Sequence, residues 1–341
     1  MTQINEAYER TTVFLKRFST LDSQELISTI NKLDLYSKLE LSKKIVIKPN
    51  LCAGTIFKSP SPVVTNANVF DFLIQTILLV NTRASIIIVE SDSIGPGFAE
   101  DKFRNQEYQG LFSKHPQINF VDLSRSPVAC YPCAGLFFKQ GIILPTAVID
   151  SDFFISLGKI KTHTNTIVSG ILKNQFGCLP ETNKSVYHPY LPDVLSDINS
   201  VIKPDLCVLE GCPAMEGPGP IDGSPVNMDL LIIGKDAVAA DATMARIMDL
   251  KPEKIKILKR AYETGQGFMQ DNEIQILGLS LEEVQRHFKS ISFEQKFYVN
   301  LGFAIQRLGD KIHKFGHLFH SIQGTFWAIG KLTHKLAKKK K

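Results

Sequence analysis

Tryptophan occurs once among 341 residues, and nowhere do about 18 apolar residues follow one another, so a membrane-spanning helix is not expected. The start, MTQINEAYERTT, lacks a basic stretch followed by an apolar one, which argues against a secretory signal and for a cytoplasmic chain. Neither G-x-x-x-x-G-K-[ST] nor a G-x-G-x-x-G behind a first strand is present, so no nucleotide fingerprint is supported. Cysteine is sparse. Cys52, Cys130, Cys133, Cys178, Cys207 and Cys212 are dispersed and, without an export signal, expected as reduced thiols. The CYPC pair at 130–133 has ligand-like spacing, but a lone pair cannot close a four-thiolate zinc site, and a structural role is expected for it. Nothing completes a metal set around Glu90 and Asp92, for which capping is an equal alternative.

What is present is a globular composition, 44% hydrophobic and 21% charged, in a chain long enough for one large α/β domain or two smaller ones. The net charge of +5 is unevenly spread. From Gln295 onward ten Lys and Arg accompany one acid, Asp310, a net +9 that leaves the rest of the chain at −4. A mildly acidic body carries a strongly basic tail. Nucleic-acid binding would rest on that tail alone, because basic and aromatic residues do not interleave in the body.

Residues 5–40 read as one or two amphipathic helices. Beyond them, short apolar runs such as KKIVIKPNL, ASIIIVESDS, INFVDLS, DFFISLG, DLCVLEG, MDLLIIG and EIQILGL alternate with helical patterns, among them NANVFDFLIQTILLVN with Thr65 or Asn66 as N-cap. Strands that are apolar on both faces and alternate with helices imply an α/β fold with a mostly parallel, doubly covered sheet. The expected organisation is a helical segment over 1–42, the α/β core over 43–294 and a basic amphipathic helical tail over 295–341.

The polar residues gather at strand ends. IVIKPN finishes in Lys48 and Asn50, IIIVESD in Glu90 and Asp92, FFISLGKIKTH in Lys159, Lys161 and His163, and CVLEGCPAMEGPGP in Glu210 and Glu216. Ligands of open parallel sheets bind outside the carboxyl ends of the strands, so these four ends are expected to share one edge. The segment NTIVSGILKNQFG reads as a helix with Asn165 or Thr166 as N-cap and Gly177 as its stop, whose N-terminus, with Lys159, Lys161 and His163, would favour an anion. Lys173 lies among Ile167, Val168, Ile171 and Leu172, either partly buried at a site or laying its stem over apolar surface. EGCPAMEGPGPIDGSP, with four glycines and four prolines over 210–225, reads as a rigid loop that is neither helix nor central strand and that allows close approach to a ligand. Asp236 and Asp241 are expected to cap and line the helix DAVAADATMARIM.

These residues resemble the family known as domain of unknown function 362. The resemblance rests on VIKPNLC with Thr65 downstream, KIKTHTNTIVSGILKNQFG, MEGPGPIDGSP, GKDAVAADATMARIM and ETGQG, and covers residues 43–280. Many members of that family carry a ferredoxin-like segment with tandem C-x-x-C-x-x-C runs that hold iron-sulfur clusters; those runs are missing here, so no cluster is carried over and the cofactor is left unassigned. A strand-end threonine and a glycine-containing loop rich in His and Lys also resemble lactate racemase-type enzymes, which implies an isomerase or epimerase reaction. The expected activity is acid/base chemistry on a small anionic substrate. Lys48, Asn50, Thr65, Asn174, Glu216, Gly217 and Gly219 would bind it, and Lys161, His163 and Lys173 would move protons, since neighbouring cations lower one another's pKa. The alternative is an accessory protein that binds a cofactor or metal cluster without catalysis.

The tail follows its own rule. Leu301, Ile305, Leu308, Ile312, Phe315, Phe319, Ile322, Phe326 and Ile329 fall on a heptad, while Gly302, Gly309, Gly316 and Gly330 recur beside it and disfavour a free coiled coil. With KKKK at the end, the segment reads as an interfacial helix for an anionic membrane surface, with self-association or docking on the body as the competing reading.

Overall fold

A computed structural model of the chain describes residues 10–51, 60–93, 99, 103, 108–291, 297 and 299–305. Twelve strands are described: β1 (Thr11–Arg17), β2 (Lys44–Pro49), β3 (Ser85–Glu90), β4 (Ile118–Asp122), β5 (Val128–Tyr131), β6 (Ile142–Pro145), β7 (Phe153–His163), β8 (Ile167–Val168), β9 (Leu206–Glu216), β10 (Ser224–Val226), β11 (Leu230–Gly234) and β12 (Ile274–Gly278). The main sheet runs in the order β12-β1-β11-β9-β7-β2-β3-β4, with β10 added to β9 and β8 to β7. Its heart, β9-β7-β2-β3-β4, is parallel throughout. β11 is antiparallel to β9 and to β1, while β1 and β12 pair in parallel. The sheet is therefore mostly parallel but mixed.

Both faces of the sheet are buried, and alternation within each strand decides which residue goes where. Val46, Phe154, Cys207, Leu209 and Ile232 face one core with the helices Leu191–Val201, Ala237–Ile247 and Lys256–Glu263. Ile45, Ile47, Phe153, Ile155, Val208 and Ile233 face the other, under the helices Ser23–Lys32 and Ala67–Val80. Each fully buried aliphatic side chain contributes about 1.5–3 kcal/mol relative to an exposed one. Asn66 is the N-cap of Ala67–Val80, accepting from the amides of Asn68 and Val69.

Three expectations are corrected. The segment before residue 43 is not purely helical: Thr11–Arg17 is a strand inside the main sheet, with Val13 and Leu15 fully buried, so 1–42 is not a separate helical unit. The segment 165–177 is not one helix. β7 continues to His163, turns into β8, and only Gly170–Asn174 is α-helical before a 3-10 turn over Gln175–Cys178, so neither Asn165 nor Thr166 is an N-cap. The proline- and glycine-rich stretch from Glu210 is not a loop as far as Glu216. It extends β9, and between the pairs Lys159↔Glu210 and Lys161↔Met215 the register shifts, so that the bulge accommodates Pro213. The heptad expected over 301–329 lies outside the described residues from Gln306 onward; residues 299–305 are helical.

Candidate functional site

Because β9, β7, β2 and β3 are parallel neighbours, their carboxyl ends stand side by side. Asn50, Lys161 and Asn174 meet there. Lys161 Nζ donates to Asn50 Oδ1 at 2.9 Å and to the Val63 carbonyl at 2.8 Å. Asn50 Nδ2 lies 3.5 Å from Asn174 Oδ1, and Asn174 Nδ2 donates to the Lys48 carbonyl at 3.0 Å and to Ser156 Oγ at 3.1 Å. Thr65 stands behind this group. Fully buried, it accepts the Asn50 amide at 2.8 Å and returns its own amide to the Asn50 carbonyl at 2.9 Å, shaping the turn after β2.

A second group joins β2 to β3. Lys48 Nζ donates to Glu90 Oε2 at 2.7 Å and to the Pro49 carbonyl at 2.8 Å, with the lysine 1% exposed. Gly177 closes over the pair, and a Cβ there would fall 2.6 Å from Glu90 Oε1 and 2.8 Å from Lys48 Cε. Lys184 reaches in beside them and donates to the Asp92 carbonyl at 2.7 Å. Burial lowers its pKa to about 8, with the Glu90 charge opposing and the Lys48 charge adding to the fall. By contrast, Lys159 and Glu210, both fully buried, form an ion pair whose carboxylate also accepts the amides of Asn66 and Cys212. That pair anchors the start of the helix Ala67–Val80 and is structural.

The outer part of the cluster is aromatic and cationic. Lys173 Nζ stands 4.2 Å from the centroid of Phe176, His188 stacks on the same ring at 6.1 Å, and Phe303, from the start of the tail, lies 6.4 Å from His188. Lys173, Lys184 and His188 are half-buried, whereas Lys48, Asn50, Lys161 and Asn174 are enclosed. His163 Nδ1 accepts the Asn165 amide at 3.0 Å, so a neutral ring carries its proton on Nε2. Burial holds His163 well below its usual pKa, and the charges of Lys173 and Lys161 push it further down. His188 falls to about 3 through burial and the Lys173 charge. Near neutral pH both rings are uncharged. Ile167, paired to His163 across the β7–β8 turn, has φ +72°, a left-handed backbone unusual for a β-branched residue.

The 216–220 loop adjoins His163 through its backbone. The Thr164 amide donates to the Gly219 carbonyl at 3.0 Å, and a Cβ on Gly219 would fall 2.0 Å from the Thr162 carbonyl oxygen. Glu216 and Gly217 turn to another partner. Glu216 accepts the Lys289 amide at 3.0 Å and pairs with its ammonium at 3.3 Å, while the Gly217 amide donates to the Lys289 carbonyl.

The N-terminus of the short helix differs from expectation in its occupant. The amides of Ile171 and Leu172 donate to the carboxylate of Asp241 at 2.6 and 2.9 Å, so they are not open to an external anion. Asp236 does cap its own helix, accepting the Ala239 amide at 2.9 Å; Asp241, on that helix, caps a different one. Lys184 and His188 carry no local signal in the sequence, and the fold brings them beside the Lys48–Glu90 pair and Phe176. Gln175, next in the chain after Asn174, is fully buried with both ends of its amide unpaired among the described residues. Such a group costs about 1–3 kcal/mol until water or a ligand satisfies it. Among the described residues no three His, Cys, Asp or Glu side chains are arranged to hold a metal ion, and no helix is long and apolar enough to cross a membrane.

Comparison with known proteins adds three findings. A thylakoid-associated protein of Synechocystis sp. is 33% identical over 119 residues, a match spanning 33% of this chain and 37% of that protein. The lactate racemase apoprotein from Thermoanaerobacterium thermosaccharolyticum aligns with a TM-score of 0.39 at 14% identity, over 59% of this chain and 51% of that one. The sequence profile of a family described as a domain of unknown function matches residues 45–246, the part of the chain that builds the strand-end cluster, and the chain therefore belongs to the DUF362 family.

Proposed function

We propose that the chain binds a small anion at the carboxyl ends of β2, β3 and β7 and carries out proton transfer on it, in the manner of an isomerase or epimerase. One observation carries this reading: near neutral pH the charged side chains that bear on the buried His163 are Lys173 and Lys161, and the one that bears on His188 is Lys173. A site whose neutral imidazoles lie in an excess of cationic field favours an anion. Lys173 and Lys184, half-buried, would meet the anion from outside, and His163 would direct its Nε2 hydrogen at an oxygen. Lys48, Asn50, Lys161 and Asn174 form the enclosed floor.

His163 is a donor rather than a base in this reading, because its Nδ1 is occupied and its pKa is depressed. The proton-accepting role then falls to an amine. Lys184, at about 8, exists in both forms near neutral pH, as a general base and acid must. Thr65, Glu216 and Gly217 act through the scaffold: Thr65 through Asn50, and the other two through Lys289.

The test uses the full chain, with sulfate and lactate added in turn while histidine ring resonances are followed by NMR. Binding should shift His163 and His188 at millimolar anion or below. In deuterated water, a short 2-hydroxy acid should exchange its α-hydrogen if proton transfer takes place. Anion binding without exchange would leave a binding protein, and the absence of both would overturn the proposal. The basic tail is proposed to hold the chain on an anionic membrane surface, a reading argued from its charge and heptad.

A further inference from the structure

Asp241 is a fully buried carboxylate that the proposed chemistry does not use, yet it touches the element that carries Lys173 and Asn174. Its two oxygens accept one amide each from Ile171 and Leu172, at 2.6 and 2.9 Å, across about 70 residues of sequence. Gly170 makes the approach possible: its φ is +72°, and a Cβ on it would fall 2.3 Å from Asp241 Oδ1. The helix Gly170–Asn174 has only five residues, too few to hold its own direction, so its placement depends on what grips its ends. Asp241 grips the start. At the other end, Asn174 bonds to the Lys48 carbonyl and Ser156, and Asn199 Nδ2 holds the Leu172 carbonyl at 3.1 Å.

We propose that Asp241 is the positioning residue of the anion site: its ionised carboxylate fixes the start of Gly170–Asn174 and thereby the placement of Lys173 and Asn174. This rests on the anion-binding reading above. The titratable groups around Asp241 are Asp236 at the start of its own helix, whose charge opposes its ionisation, and the Cys207 thiol on β9. Lys173, on the helix it caps, faces Phe176 instead. Burial outweighs the two amide bonds and raises the Asp241 pKa to about 7, so the grip is at full strength above neutrality and weakens as the carboxylate takes up a proton. A protonated carboxyl turns a hydroxyl toward one of the two amides, and only one acceptor remains well placed.

The sign of the effect separates positioning from simple electrostatics. Removing a buried negative charge would, by field alone, strengthen anion binding; losing the grip on the helix would weaken it. Sulfate is the probe, because it keeps its charge across the range. Lys184 gains its proton near 8 and tightens sulfate in either chain, so the effect is read as a ratio: the affinity of the unmodified chain relative to Asp241→Asn should fall as pH drops through about 7. Asp241→Asn should bind sulfate about tenfold more weakly at pH 8, where a small displacement of a ligating group is expected to cost at least that much, and should keep only the rise in affinity that Lys184 brings as pH falls. Equal or tighter binding by a folded Asp241→Asn chain overturns the proposal.

A second readout needs neither anion nor variant. In the ligand-free chain, the amide resonances of Ile171 and Leu172 and the side-chain resonances of Lys173 and Asn174 should move together as pH passes through about 7. If they do so while no anion binds, positioning stands and the anion-binding reading fails. If sulfate binds while these resonances stay still, the reading stands and positioning fails. Should Asp241→Asn not fold, this series on the unmodified chain decides the question.

Discussion

Lys173 and Phe176, three residues apart, place an ammonium over an aromatic face at 4.2 Å, and His188 stacks on that same ring. The lysine charge is thus held close to two imidazoles. Lys173→Met keeps the apolar stem on the ring and removes the charge. Both His163 and His188 should then titrate at higher pH, because the Lys173 charge is among the causes that depress them. Sulfate affinity should fall about tenfold or more, with stability changed by about 1 kcal/mol, the scale of a lost cation–π contact. Histidine titration by NMR and calorimetry measure these; unmoved histidines would mean that the field comes from elsewhere.

Lys48 and Glu90 form a buried pair between β2 and β3, with side-chain exposures of 2% and 12%. Removing one partner leaves a charge without its counter-ion. Glu90→Gln should cost about 3 kcal/mol in urea unfolding, and the double change Lys48→Met with Glu90→Gln should recover part of that loss. Additive effects of the two changes would show that the pair does not couple.

Gly219 has no room for a side chain, since its Cβ would fall 2.0 Å from the Thr162 carbonyl oxygen. The clash is with backbone, which cannot swing aside as a long side chain can. Gly219→Ala should destabilise by roughly 1–3 kcal/mol and separate the 216–220 loop from Thr164, whose amide and hydroxyl both donate to the Gly219 carbonyl. Thermal melting with amide exchange at Thr164 tests this, and wild-type protection at Thr164 would refute it.

Residues 306–341 carry nine of the ten Lys and Arg of the tail and most of its heptad, while Phe303, before them, contacts His188. Truncation after Ile305 should leave the His163 and His188 titrations intact and abolish sedimentation with vesicles of anionic lipid. Binding of the intact chain should weaken with salt, because exposed charges are screened over about 8 Å at physiological ionic strength. Equal sedimentation of the two chains would sink the membrane reading; dimerisation of the intact chain alone would replace it with self-association.

Most strands of the main sheet are legible in the sequence. IVIKP, SIIIVE, FFISLG, LCVLE and LLIIG are short, apolar on both faces and separated by helical patterns, the combination that a sheet covered by helices on each side buries. The sequence also determined which strand ends carry Lys48, Asn50, Lys161 and His163, because a parallel order puts those ends on one edge. Tertiary structure decided what local pattern leaves open. TTVFLKR reads as helix and becomes β1 because β11 and β12, more than 200 residues away, offer backbone partners on both sides. TIVSGILKN has apolar residues enough for a long helix, yet β7 takes Ile167 and Val168 as a short partner strand, and Asp241 supplies the cap that no neighbour in sequence provides. The proline-rich run after Glu210 stays extended because its bulge lies against β7 and because β10 pairs with it on the other side. Local preferences amount to about 1 kcal/mol per residue or less, and a full set of sheet hydrogen bonds with buried side chains exceeds them.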